Sequence, residues 1–268
     1  MLEFLQQLTA EKFLIQLAFL QKIQEFLVLE FLREELLQFK GKKIKVANGT
    51  VKTIDASQMK GRTLKDIYTF GKHMLFYFGD DLTLRIHYLM FGVFYIDKKR
   101  DKEPQLHLVF DNKKVLNFYT TSMRYIERPL AEEYDWRTDI MSNEWDAKYV
   151  RKLIKDQLAE TMICDLLMDQ EIFTGVGNII KNEALYRTGI HPENEIGKLP
   201  PKKLTELMHE TLNFSQDFLR WRKVNHLDRN LEVYGKKECP KHGTKLHKEN
   251  TGTKKRMSFW CETCQKRY

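Results

Sequence analysis

Four residues near the carboxyl end have the types and spacing of a metal site. Cys239-Pro-Lys-His242 is followed, after 18 residues, by Cys261-Glu-Thr-Cys264. Two ligand pairs, each split by two residues, are what a tetrahedral zinc ion takes. Each pair turns tightly so that both donors face inward, and the chain between them forms a hairpin. Thiolates and a neutral imidazole both suit zinc. Four protein ligands leave no open position for water, so one structural zinc is expected. The alternative is a set of unrelated thiols with an incidental surface histidine. Lys254, Lys255 and Arg256 precede the second pair, where a hairpin tip would project. There they could neutralise phosphates, and the planar guanidinium of Arg256 suits bidentate contact. A solvated charge run is the plainer reading. Cys164, alone in an apolar stretch, reads as a small buried hydrophobe rather than a nucleophile.

The elements that would carry this hairpin fall into three textures. Residues 2–38 read as one or two amphipathic helices, for core packing or for a partner or membrane surface. From Gly41 the runs 42–54, 73–78, 82–96, 105–110 and 114–119 are strand-like and divided by turns, which predicts an antiparallel sandwich or barrel. After Trp136 the periodicity predicts helices over 146–158, 161–169, 179–187 and 202–223. The expected fold is therefore α+β, with an N-terminal helix and β-sandwich over 1–135, a helical domain over 136–235 and a zinc-bearing β-hairpin over 236–268.

Composition narrows the function classes. The 268 residues hold 45 Lys and Arg against 37 Asp and Glu, a net charge of +8. Residues 236–268 alone hold ten Lys and Arg against three Glu, so the surplus that points to a polyanion lies on the hairpin. The content of 42% hydrophobic and 31% charged residues excludes wholesale disorder. Four cysteines are too few for a disulfide scaffold, which favours a reducing cytosolic or nuclear setting. The most apolar run, 13–32, is broken by Gln16, Gln21, Lys22, Gln24, Glu25 and Glu30, so no membrane span is expected. It also lacks the basic start and small-residue cleavage site of a secretory signal.

One long segment resembles a known family. Asp169-Gln-Glu-Ile-Phe-Thr-Gly175-Val-Gly177-Asn178-Ile-Ile-Lys-Asn-Glu183-Ala-Leu-Tyr, followed by Gly189-Ile-His-Pro192, is similar to the helix–two-turns–helix segment of the formamidopyrimidine-DNA glycosylase / endonuclease VIII family. Arg256-Met-Ser-Phe-Trp-Cys261 resembles that family's C-terminal zinc finger. Gly71-Lys72 resembles its basic position in the sandwich, and His87-Tyr-Leu-Met-Phe-Gly92 its void-filling loop. The resemblance covers about residues 33–268 and is nearer the endonuclease VIII branch. It implies a DNA repair enzyme, a glycosylase and AP lyase, that binds double-stranded DNA with damaged bases or abasic sites in the cleft between its two domains. A monomer in the cytoplasm, on the nucleoid if bacterial, is the matching expectation.

The resemblance also assigns roles. Gly175 and Gly177 would allow close backbone approach, and the helix N-terminus at Asn178 would offer N–H donors to a phosphate. A glycine turn standing alone would be an ordinary loop. Lys72 would hold a phosphate beside the lesion. Leu89, Met90 and Phe91 would wedge into the gap left by a rotated nucleotide, with ordinary strand core as the alternative. Arg124 would reach the opposite strand, although Ser-Met-Arg-Tyr departs from the family's Arg-Arg-Phe pattern.

The start of the chain departs from the family. There an N-terminal proline supplies the secondary amine that attacks the deoxyribose C1′, and the adjacent glutamate handles protons during Schiff-base formation and β,δ-elimination. This sequence begins Met-Leu-Glu-Phe-Leu and has no Pro-Glu near its start. Aligned on Gly41, the proline position falls near Gln24 and the glutamate near Glu25, while the ordinal match of Glu3 is a coincidence. Three explanations stand: an altered start on a gene with active relatives, a catalytically silent DNA binder, or another amine, Met1 or Lys72, in place of proline. A zinc-ribbon protein associated with RNA is a further class, favoured if structured RNA outcompetes lesion DNA.

Overall fold

The computed structural model describes residues 27–224 and 226–268. Met1, Glu3, Gln24 and Glu25, and with them the expected N-terminal chemistry, lie outside the described residues. The chain divides into two compact units, which meet in sequence between Tyr134 and Asp135.

The first unit opens with α1, Leu27–Leu36. Leu29, Leu32 and Leu36 recur at helical spacing and are buried in the core. Six strands follow: β1 (Ile44–Asn48), β2 (Asp66–Phe70), β3 (His73–Gly79), β4 (Leu82–Ile96), β5 (Leu106–Phe110) and β6 (Val115–Ile126). They form one antiparallel sheet in the order β1-β5-β6-β4-β3-β2. The two ends of that order are tied. Gly41 N donates to Leu64 O at 2.7 Å, Leu64 N to Lys42 O at 2.9 Å and Ile44 N to Arg62 O at 2.9 Å, joining the start of β1 to the chain leading into β2. The sheet thus wraps one core, the sandwich-like arrangement that the alternating runs predict. Phe39 packs on Phe110 and Phe76 on Phe118, with ring centroids 4.5 and 5.8 Å apart. Of the run 42–54 only β1 is strand, because the chain leaves the sheet at Gly49. β2 has the inside–outside alternation of a half-buried strand but was absent from the strand-like runs.

β4 carries one large irregularity. Tyr88 pairs with Thr121 and Val93 with Tyr119, so residues 89–92 stand off the sheet opposite Thr120 alone. Only glycine fits at 92, where a Cβ would lie 2.8 Å from Thr120 O.

The second unit is helical and then β. After the short α2 (Leu130–Glu133), which closes the first unit, come α3 (Ala147–Lys155), α4 (Ile163–Leu166), α5 (Asn178–Arg187), α6 (Pro201–Lys223) and α7 (Leu227–Asn230). Asp146 caps α3, accepting from Lys148 N at 2.8 Å and Tyr149 N at 3.1 Å, and Pro201 sits at the first position of α6. α4 is shorter than the predicted 161–169 because Met168 N and Asp169 N turn back to Asp165 O and Leu166 O, three residues earlier. β7 (His247–Thr251) and β8 (Arg256–Trp260) form the hairpin. α5 is buried on all sides from Ile179 to Tyr186, including Lys181, Asn182 and Glu183. A buried polar group needs partners, and these three find theirs in the hairpin and its linker.

Candidate nucleic-acid interface and metal centre

In the second unit, α5 and the hairpin are fastened together. Asn178 Nδ2 donates to Met257 O at 2.9 Å, Lys181 Nζ to Met257 O at 3.1 Å and to Ser258 Oγ at 2.9 Å, and Asn182 Oδ1 accepts from Phe259 N at 2.7 Å. Burial brings the Lys181 ammonium down to about 8. The Glu183 carboxylate accepts from the backbone N–H groups of Glu232, Val233 and Tyr234, which anchors the chain entering the hairpin. The loop before α5 is closed by Gln170, whose Nε2 donates to Val176 O and whose Oε1 accepts from Gly175 N. Gly175 takes φ +95°, a left-handed conformation that favours glycine. The result puts the first turn of α5, with its positive dipole end, next to β8. Arg256 opens β8 and is exposed, as are Lys254 and Lys255 in the preceding turn. Asn178 Oδ1 is buried without a hydrogen-bond partner among the described residues. A helix N-terminus flanked by exposed cations is a surface for anionic oxygens.

Cys239, His242, Cys261 and Cys264 converge. Their donor atoms all lie within 4.8 Å of one another. Cys239 Sγ is 3.6 Å from Cys264 Sγ, and His242 Nδ1 is 3.2 Å from Cys264 Sγ and 3.7 Å from Cys239 Sγ. Tetrahedral metal–sulfur and metal–nitrogen bonds of about 2.3 and 2.0 Å demand spacings of this size, so the four residues could hold one metal ion. Burial pushes the Cys239 thiol up, but hydrogen bonding to Tyr186 and His242 outweighs it and brings the thiol down to about 6. Such a group enters a metal site as thiolate. Cys164 stands apart and buried, and burial pushes its thiol up.

In the first unit the candidates gather around the β2–β3 turn. Gly71 and Lys72 form the two-residue loop between the Phe70–His73 pair, with Gly71 at φ +51°. Lys72 is half-buried, and His87 Nδ1 lies 3.0 Å from its carbonyl oxygen. Register places His73 beside His87, and Arg85 beside Arg124, on one face. Burial first, then the charges of Arg85, His87 and Arg124, bring His73 down to about 3. Arg124 lies within β6 rather than at a loop tip, and its guanidinium pairs with Glu133, which also binds Arg128. Beyond His87 the bulge exposes Leu89 (42%) and Phe91 (60%). They are not strand core. The side chain of Met90 lies outside the described residues, as does all of Glu25.

Sequence reasoning missed His73, Arg85, His87 and Glu133 as members of this face. The usable signal was the period-two spacing of Arg85 and His87 in β4, which puts both side chains on one side. Among the described residues, Asn178, Arg256 and the metal ligands belong to the second unit, and Lys72, Leu89, Phe91 and Arg124 to the first.

Residues 26–124 match the family model described as the formamidopyrimidine-DNA glycosylase N-terminal domain, and residues 138–222 the formamidopyrimidine-DNA glycosylase H2TH domain. Endonuclease 8-like 3 of Xenopus laevis is 31% identical over 224 residues, 79% of this chain and 36% of that protein. Endonuclease 8-like 2 of Mus musculus is 35% identical over 170 residues, 62% of this chain and 49% of that protein. The chain thus spans about a third to a half of the length of these curated relatives. Among solved structures, a viral DNA glycosylase superposes with a TM-score of 0.77 at 20% identity, covering 90% of this chain and all of that one. Lactococcus lactis formamidopyrimidine-DNA glycosylase, bound non-covalently to DNA containing an AP site, gives 0.79 at 23% identity over 91% of this chain and all of that one. By these two domain matches, which together span well over half of its residues, the chain belongs to the formamidopyrimidine-DNA glycosylase / endonuclease VIII family.

Proposed function

We propose that this chain is a base-excision repair protein of the DNA glycosylase/AP lyase class. In this reading it binds double-stranded DNA at damaged bases or abasic sites, removes oxidised bases and cuts the strand by β,δ-elimination. The observation that carries the reading is the bond from Asn178 Nδ2 to Met257 O, which sets the N-terminus of α5 beside exposed Arg256. Together they make one surface for backbone phosphates. Support comes from the first unit, where exposed Leu89 and Phe91 adjoin the Lys72–His87 turn, an apolar wedge beside a basic anchor. Met90, between them in sequence, is the third residue of the proposed wedge. Arg124 belongs to the same interface and shares Glu133 with Arg128.

Zinc fits the four donors near the carboxyl end. Cys239, His242, Cys261 and Cys264 would hold it as a structural ion, because no coordination position is left for water. The domains in this proposal are 1–135, 136–235 and 236–268, and the protein works as a cytoplasmic monomer. Lys72 and Glu25 are the catalytic candidates, the first as amine or phosphate anchor and the second as proton-handling carboxylate. The relatives support the assignment by likeness: one solved structure is of the Lactococcus lactis enzyme with abasic-site DNA, and another is of MutM with DNA containing carbocyclic 8-oxo-G.

A second reading is a catalytically inactive, zinc-dependent DNA-binding protein. It is favoured by one feature of the sequence: aligned on Gly41, Gln24 and Glu25 stand where the family has its proline and glutamate. Borohydride trapping on duplexes carrying an oxidised base or an abasic site separates the two. A covalent adduct with strand cleavage establishes the enzyme, and its mapped attachment identifies the amine. Tight binding with neither adduct nor cleavage establishes the binder.

A further inference from the structure

The hairpin turn that precedes Arg256 is held by a carboxylate. Asp165, in α4, is buried at 8% exposure. Its Oδ2 accepts from Thr253 N at 2.7 Å and from Thr253 Oγ1 at 2.9 Å, and its Oδ1 accepts from Lys254 N at 3.1 Å. The fit is close enough that a Cβ on Gly252, at φ +70°, would lie 2.4 Å from Oδ1. Lys255 completes the turn at φ +47°, a left-handed conformation that a free lysine avoids. On the far side of Arg256, Met257 O is gripped by Asn178, Lys181 and Asn182. The Arg256 backbone is therefore fixed on both flanks while its side chain stays exposed.

We propose that Asp165 is a positioning residue that presents Arg256 to a DNA phosphate. The inference rests on the DNA-binding reading above. An arginine on a loose turn must be ordered when it binds, and that ordering subtracts from affinity; a turn latched in advance has already met the cost. The sign of the effect is diagnostic. On charge alone, removing a carboxylate beside a cationic DNA-facing turn tightens binding. Removing a latch weakens it.

The test uses the full chain and a fluorescein-labelled duplex with a tetrahydrofuran abasic analogue, with anisotropy read at several salt concentrations. Metal content and far-ultraviolet circular dichroism of each variant are checked in parallel. Asp165→Ala is expected to bind about tenfold more weakly with metal content unchanged, and the slope of log K against log salt is expected to fall by about 1. In the Arg256→Ala background the same change is expected to have no effect, because Asp165 acts through Arg256. Binding by Asp165→Ala equal to or tighter than the parent overturns the proposal, as do additive losses in the double variant. Should Asp165→Ala fail to fold, Thr253→Val removes one bond to the carboxylate. It is expected to weaken binding about threefold, and only when Arg256 is present; unchanged binding overturns the proposal equally. A parent chain that binds neither lesion nor plain duplex sinks the DNA-binding reading itself, which is a different outcome from a parent that binds and variants that match it.

Discussion

Tyr186 shows how much one hydroxyl can do. Its side chain is fully buried on α5, and its Oη lies 3.2 Å from Cys239 Sγ and 3.8 Å from Cys264 Sγ. A hydroxyl donating to a thiolate spreads the sulfur's charge and fixes its direction, which is how outer groups steady metal ligands. Tyr186 and Asn178 belong to the same helix, so the four-donor cluster and the helix end proposed to face phosphate are mechanically joined. Replacing Tyr186 with Phe keeps the ring and deletes only the hydroxyl. The variant is expected to keep its fold and give up zinc about tenfold more readily to a competing chromophoric chelator. Equal transfer from both proteins would show that the hydroxyl is a bystander.

At the scale of elements, the bulge in β4 is the clearest division of labour between strand and loop. Tyr88 and Val93 stay in register with β6 while residues 89–92 leave the sheet. Phe91, at 60% exposure, contributes little to the core, so Phe91→Ala should change stability by less than about 0.5 kcal/mol. It should nevertheless reduce extrusion of a 2-aminopurine placed at the lesion by about tenfold, read as lost fluorescence gain on binding. An unchanged fluorescence gain would return Phe91 to the status of an incidental surface aromatic. The residue run of this bulge was legible in the sequence, as were the metal pairs, α5 and α6, because each is written in local spacing. Arg85, His73 and Glu133 were not legible as a group. They meet only through the register of β3, β4 and β6 and the turn into α2, and register is a non-local property. β2 was missed for a related reason: Asp66 and Thr69 dilute its apolar signal, and its identity comes from pairing with β3.

For the molecule as a whole, the two histidines held neutral by burial set its response to acid. Burial is the leading cause in both, lowering His73 to about 3 and His191 to about 4. His191 is fully buried, its ring edge-on to Trp260 at 5.2 Å, and its Nε2 has no partner among the described residues. Both folded values lie below the unfolded value of about 6.5. As pH falls through 6.5 the unfolded chain therefore takes up protons that the folded chain refuses, and stability drops with falling pH, from about 6.5 down to the folded values. Carboxylates held low, such as Asp135 at about 2 beside Arg137, add their losses further into acid, as pH falls through the ordinary carboxylate value of 3.8 and on to the folded one. The window from pH 6.5 to 5 thus belongs mainly to the histidines. His191 alone should cost on the order of 1 kcal/mol over one pH unit there. Thermal melts of the zinc-loaded protein at pH 7.5 and 5.5, with metal content checked at each, should show a clear fall in Tm. His73→Gln and His191→Gln should each flatten that fall while lowering Tm at neutral pH by less than the wild-type acid loss. Parallel pH profiles for the wild type and both variants would show that these rings do not govern the acid response. His242, which would hold the ion as a neutral imidazole and release it when protonated, would then be the next group to test.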